Sequence, residues 1–377
     1  MYADKVTAMV SRNDGAEYRG ARAAGYFMTG VLRGTFWRSL RVAAATCAAV
    51  AFAMIATFGV SAASAADAGI MKRGDAAVTG FSGTVTDKDV PKTVHPLDRT
   101  FIDLNGSAAQ VFDLSVMGTA PRGQLSDVLS KLKIKARDTG QVFGVTLDDA
   151  AQPNIYLTAT SMYGLQIVTK GSDGKLNRLV AGAADAQWMP GQFGLEKGGT
   201  PGAIYKVNGV SGEVTLFATV KTWERDNAGP GLGKITFDPR TQQLFVSDLE
   251  SGLIHRITLD GKERDLFDHG DAGRKAQGLD AVAYDDTRRM DITQPSFNTE
   301  DPTSWGYADA RRRVFGLAVS TGRLYYAVAE GPAIWSVSID NEGDFGSDPR
   351  IEIELKGTPA ATDITDIVLD DAGKMYL

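Results

Sequence analysis

The sequence predicts an all-β fold, and three observations carry that expectation. Three short β-rich runs, at 233–239, 243–248 and 252–261, stand a few residues apart, and each closes in turn-forming Asp, Pro, Gly or Ser. Such runs form consecutive antiparallel strands joined by tight turns. The first of them is echoed at 142–148, 314–320 and 364–370, and a supersecondary unit repeating along a chain marks a propeller or a solenoid. Finally, the 42 glycines among 377 residues are scattered through turn positions, which suits many short strands better than long helices. The expected fold is a β-propeller.

Taken in order, the chain begins with a basic leader and an uncharged run of 19 residues at 42–60, preceded by Arg38 and Arg41. Ala63-Ser64-Ala65 behind it has the small-x-small pattern of a signal peptidase site, which places cleavage before Ala66. The alternative is an uncleaved membrane anchor, since 19 apolar residues can just span a bilayer. In both cases the arginines hold the leader in the cytoplasm and send the body outward, to the periplasm or surface of a bacterial-type cell. The leader is long, and a start at Met28 would shorten it.

Of the 40 Lys/Arg and 46 Asp/Glu, seven and three lie within 1–65, so the body carries 33 basic against 43 acidic groups. That balance speaks against nucleic acid as a partner. The sole cysteine, Cys47, lies in the apolar run, which leaves the body without a disulfide, a thiol nucleophile or a thiolate metal site.

Residues 66–98 lack periodicity and read as a linker or irregular arm. At 99–117 two β-rich runs flank Asn105-Gly106, the favoured hairpin turn, and this hairpin is expected to help close the ring. Residues 125–134 read as a short amphipathic helix or turn. The first blade then runs over 142–220, with strands at 142–148, 154–160, 202–207 and 212–217 and an insertion at 161–201. A second blade covers 233–269, a second insertion 270–312, a third blade 314–357, and a partial fourth 362–377. Equivalent inner-strand residues Val145, Ile235, Leu317 and Ile367 are spaced by 90, 82 and 50 residues, so the irregularity lies in the insertions. Inner strands carry little charge, whereas fourth strands such as 262–267 alternate with charge as an outer edge should.

The residues Ile235-Thr236-Phe237-Asp238-Pro239, Leu244-Phe245-Val246-Ser247-Asp248 and Ile254-His255-Arg256-Ile257 resemble an NHL-type repeat and, more loosely, a blade of the SMP-30/gluconolactonase superfamily. The resemblance covers 142–377 and implies a six-bladed ring, which makes the sequence look truncated within its fourth blade. Lactonases of that superfamily hold a divalent cation, typically calcium, at the pore through Glu, Asn and Asp. The positions matching the two Asn ligands and their repeats hold Phe143, Gly233, Phe315 and Thr365 here, so the ligand set is not matched.

Other chemistry is sparse. Asp340, Glu342 and Asp344 place oxygens at alternate positions like a calcium loop, but Phe345 and Ile351 stand where an EF-hand needs Gly and Glu, so a hairpin loop is the first reading and a weak cation site the second. Gly229-Pro230-Gly231 leads into a strand and reads as a turn between blades rather than a phosphate loop. His255 reads as a blade-surface residue, Arg311-Arg312-Arg313 as a solvated edge with Arg311 a candidate ligand contact, and 268–271 as turn chemistry. No nucleophile elbow is present. Trp188, Trp223 and Trp305 lie in or beside the long insertions, where aromatics serve either as ligand platforms or as core caps. The expected function is an exported, non-catalytic binding or scaffold propeller that recognises a protein, peptide or glycan through 161–201 and 270–312, with no resident cofactor. The alternative is a calcium-dependent hydrolase of the lactonase or phosphotriesterase kind.

Overall fold

The computed structural model describes residues 7–10, 69–90, 92, 94–116 and 130–377. The apolar run 42–60 and the expected cleavage site at Ala66 lie outside the described residues. Among the described residues no helix is long and apolar enough to cross a membrane.

Among the described residues, four four-stranded antiparallel sheets form the propeller. The first joins Thr7–Val10, Asp75–Thr79, Ser107–Asp113 and Ser130–Lys135. The second runs from Val142–Leu147 through Ile155–Ala159 and Ala203–Val207 to Val214–Thr219. The third is a simple meander of Leu232–Asp238, Gln243–Asp248, Leu253–Thr258 and Glu263–Asp268. The fourth repeats it with Val314–Ser320, Arg323–Val328, Ala333–Ser338 and Arg350–Glu354. A short pair, Val368–Leu369 with Met375–Tyr376, follows. Inner strands are buried nearly throughout and the outer strands of the third and fourth sheets are mostly exposed, because each inner strand is covered on both faces and each outer one borders water.

The amino-terminal part departs from the sequence reading. Thr100–Ile102 pairs with Thr84–Thr86, not with the strand that follows Asn105-Gly106. Ser107–Asp113 instead sits between Asp75–Thr79 and Ser130–Lys135. The Asn-Gly signal is thus a turn that bends the chain between two sheets, closed by the Gly106 amide on the Asp103 carbonyl at 3.0 Å. Residues 75–79, expected in an irregular arm, are a strand, and 130–134 belongs to a strand rather than to a helix.

One device recurs at successive sheet junctions. In each of the second, third and fourth sheets the inner strand bulges two or three residues after its start, between Val142 and Val145, Leu232 and Ile235, and Val314 and Leu317. A bulge breaks the ladder and leaves an amide unpaired. The Thr158 hydroxyl meets the freed Gly144 amide at 3.0 Å and donates to the Gly233 carbonyl of the next sheet at 2.8 Å. Ser247 repeats this with the Lys234 amide at 3.0 Å and the Phe315 carbonyl at 2.7 Å. Thr79 likewise donates to the Phe143 carbonyl at 2.8 Å.

Candidate functional site

In a four-stranded meander the turn between strands two and three and the link to the next sheet lie at the same end, because alternate strands run in opposite directions. The insertion after Ile155–Ala159 and the one after Glu263–Asp268 therefore emerge on one face. The first is built as a three-stranded sheet of Ile167–Lys170, Leu176–Leu179 and Gln187–Trp188. The two are stitched together: the Gly182 amide donates to the Phe297 carbonyl at 2.9 Å, and the Thr299 amide to the Val180 carbonyl at 2.8 Å. Leu165, Ile167, Met189, Phe193, Met290, Phe297 and Trp305 all belong to one buried core cluster, so this loop layer is packed like the sheets beneath it.

A cavity of about 280 Å³ opens in the layer over the third sheet. Its walls include Glu250, Tyr284, Arg288, Tyr307, Asp309 and Arg311. Glu250, fully buried, reaches this position on the turn after Gln243–Asp248. Its carboxylate accepts from the Arg289 Nε at 2.9 Å and from the Ala228 amide at 2.8 Å. Burial, reinforced by the neighbouring Asp248 charge, nonetheless raises its pKa. Asp248, equally buried, accepts from Thr222, Asn227 and Ser251 at 2.9, 2.8 and 2.5 Å.

His255 lies beneath this acid pair, wholly buried, with Nδ1 2.6 Å from Glu263 and Nε2 3.8 Å from Asp248. Burial alone would depress its pKa, but the two carboxylates outweigh that and raise it. The residue read as surface chemistry is therefore buried between two carboxylates. The reason is register: His255 faces Val246 and Leu266 across its sheet, on a strand buried at five of its six positions.

The other candidates separate. Trp305 is core, its indole N–H held by the Asn298 carbonyl at 2.8 Å. Trp188 packs edge-on to Phe193 at 5.0 Å between ring centres. Trp223 is exposed and lies 4.7 Å from the Tyr284 ring at the cavity, with the Arg312 guanidinium over both rings. The three arginines do not share a solvated edge. Arg311 is exposed and bidentate to Asp309, Arg312 is buried against Asp268 and two carbonyls, and Arg313 pairs with Asp363. Arg288, exposed on the cavity wall, has no carboxylate within ion-pair distance among the described residues.

Asp340, Glu342 and Asp344 do not converge. The Asp340 carboxylate caps its own turn through the Glu342 and Asp344 amides at 3.0 and 2.8 Å. Asp344 is paired with Arg256, which also binds the Glu342 carbonyl at 2.9 Å. Where the inner strands approach one another, Phe143 and Phe315 meet edge to face at 5.5 Å and pack with Leu249. Gly233 keeps room for that pair, since a Cβ there would lie 3.1 Å from the Phe315 ring. Glu250, Tyr284 and Arg288 were missed by sequence reasoning because acids, Gly and Ser around a turn carry the same signal whether they bind or merely bend.

No protein-family model matches the chain, and no sequence among the curated proteins matches it. Solved structures similar to it include one of a nidogen/laminin complex, at 12% identity over 70% of this chain and 63% of that one, with a TM-score of 0.34. Another is a Bacteroides thetaiotaomicron protein, at 12% identity over 78% of this chain and 51% of that one, TM-score 0.37. A third is virginiamycin B lyase from Staphylococcus aureus, at 15% identity over 79% of this chain and 82% of that one, TM-score 0.30. The chain spans less than two thirds of the length of the first two. The fold itself rests on the sheets described above: the chain is a β-propeller whose one face is roofed by a packed loop layer with a polar cavity.

Proposed function

We propose that the protein is an exported binding propeller that takes a polar segment of a peptide, protein or glycan into the cavity over its third sheet. The observation that carries this reading is the loop layer, in which two long insertions are ordered by a shared core and the second of them, with Glu250, lines a cavity edged by the exposed Trp223, the half-buried Tyr284 and Arg288. An aromatic platform beside a cation and several fixed acceptors suits ligands with both apolar and polar faces. Phe143 and Phe315, packed against each other where the lactonase resemblance looks for metal ligands, favour binding over calcium-dependent hydrolysis.

The test is to probe peptide and glycan arrays with the labelled full chain and with the Arg288→Ala and Tyr284→Ala variants. The expected result is a discrete set of bound probes whose signal falls at least tenfold in both variants. Arrays indifferent to both substitutions, together with calcium-dependent lactone turnover by the wild type, would overturn the proposal.

A further inference from the structure

A second, smaller cavity of about 70 Å³ lies at the junction of the first insertion with the Thr84–Thr86/Thr100–Ile102 hairpin. Its lining brings together Phe81, Phe101, Tyr163, Gln166 and Arg178. Phe81 is 43% exposed although large and apolar, and its ring lies 6.2 Å from that of Tyr163, so the cavity has an open aromatic rim.

Arg178 is the unusual member. It sits in Leu176–Leu179, and its Nε is buried without a hydrogen-bond partner among the described residues. No ion pair among them includes it either. The neighbouring Arg99 also leaves its Nε unpartnered, but its other two nitrogens are held by the Leu176 carbonyl at 2.9 Å and by Asp173 at 3.3 Å. A buried N–H without an acceptor carries a cost, and an anion that enters and accepts from it removes that cost. Arginine prefers planar, bidentate acceptors, which makes a carboxylate the best match, and the rings of Phe81, Phe101 and Tyr163 would cover an apolar group attached to it.

We infer that this cavity is a carboxylate-binding site in which Arg178 pairs with the carboxylate of a small apolar or aromatic acid, either free or at a peptide carboxyl terminus. The site is separate from the cavity at Glu250 and does not depend on what that cavity takes.

Titration calorimetry on the full chain tests it with two matched pairs of probes, benzoate against benzamide and N-acetylphenylalanine against its amide. Each pair keeps the apolar body and changes only the charge. Binding of at least one acid, at least tenfold tighter than its amide and lost at least tenfold in Arg178→Gln, is the expected result. Benzoate binding alone assigns the site to free acids, and binding of the N-acetyl amino acid assigns it to terminal carboxylates. Arg178→Lys should retain part of the affinity, and Arg288→Ala should retain all of it. The thermal transition of Arg178→Gln should not fall, because the substitution removes a buried N–H that has no partner. Acids and amides that bind alike, acids that do not bind at all, or an Arg178→Gln protein that binds as the wild type would overturn the assignment.

Discussion

The Ser247 hydroxyl lies 2.7 Å from the Phe315 carbonyl oxygen of the next sheet and 3.0 Å from the Lys234 amide of its own. Thr158 makes the same pair of contacts one sheet earlier. A single hydroxyl thus satisfies an amide freed by a bulge and fastens two neighbouring sheets.

Removing that hydroxyl should be expensive for so small a change. Thr158→Val keeps shape but leaves buried amide and carbonyl groups without a partner, at a cost of about 1–3 kcal/mol. Ser247→Ala should cost a similar amount, while Thr158→Ser should cost less than either. Urea unfolding monitored by circular dichroism measures all three, and a Thr158→Val protein as stable as the wild type would remove the latch from the account.

The aromatic contact between Phe143 and Phe315 is the second test of how the sheets meet. Both rings are at most 2% exposed, so Phe315→Ala should cost about 3–5 kcal/mol through lost burial and the cavity left behind. Phe315→Leu, which refills most of the volume, should cost clearly less. Equal losses for the two would mean that the site collapses freely and is not tightly packed.

Lys234 is buried on its inner strand, and its ammonium is 2.8 Å from the Asp366 carboxylate. Burial lowers its pKa despite that partner. Asp366→Asn should therefore destabilise the protein strongly at neutral pH, because a buried ammonium loses its counter-charge. That loss should shrink as the pH rises, because deprotonation of Lys234 removes the unpaired charge. Lys234→Met, which removes the charge altogether, should be the milder substitution throughout the range.

His255 predicts a pH dependence of definite sign. Its folded pKa is raised above the unfolded value of 6.5 by Asp248 and Glu263. Its contribution to stability is accordingly complete below pH 6.5 and lost as the pH rises through the folded pKa. His269 acts elsewhere: burial, with Arg274 and Arg312 nearby, lowers its pKa to about 3, so it withdraws stability only as the pH falls below 6.5. The melting temperature of the wild type, relative to His255→Gln, should fall as the pH is raised through the range above 6.5. A constant difference across that window would show that His255 is not protonated in the folded protein.

How far the sequence could be read depends on how local each signal is. The strands around Ile235, Val246 and Ile254 were legible because alternation, turns and repetition coincide within a few tens of residues. Asn105-Gly106 misled because the partner of Thr100–Ile102 precedes it and the partners of Ser107–Asp113 lie on both sides at longer range. The insertions read as loops since their core residues, Leu165, Phe193, Phe297 and Trp305, bury one another across the two segments and leave no period in either. The cavity itself was invisible for the same reason. Glu250 and Arg288 are 38 residues apart in the chain, and only the folded layer brings them to one wall.

This wall, and not the meeting point of the inner strands, is where the ligand is expected to bind. Hydrogen–deuterium exchange of the full chain, with and without the strongest probe from the arrays, measures it directly. Slowed exchange is expected in 281–289 and 306–312 and unchanged exchange in Val142–Leu147 and Val314–Ser320. Protection confined to the inner strands or to the exposed outer strand Arg350–Glu354, with 281–312 unaffected, would contradict it.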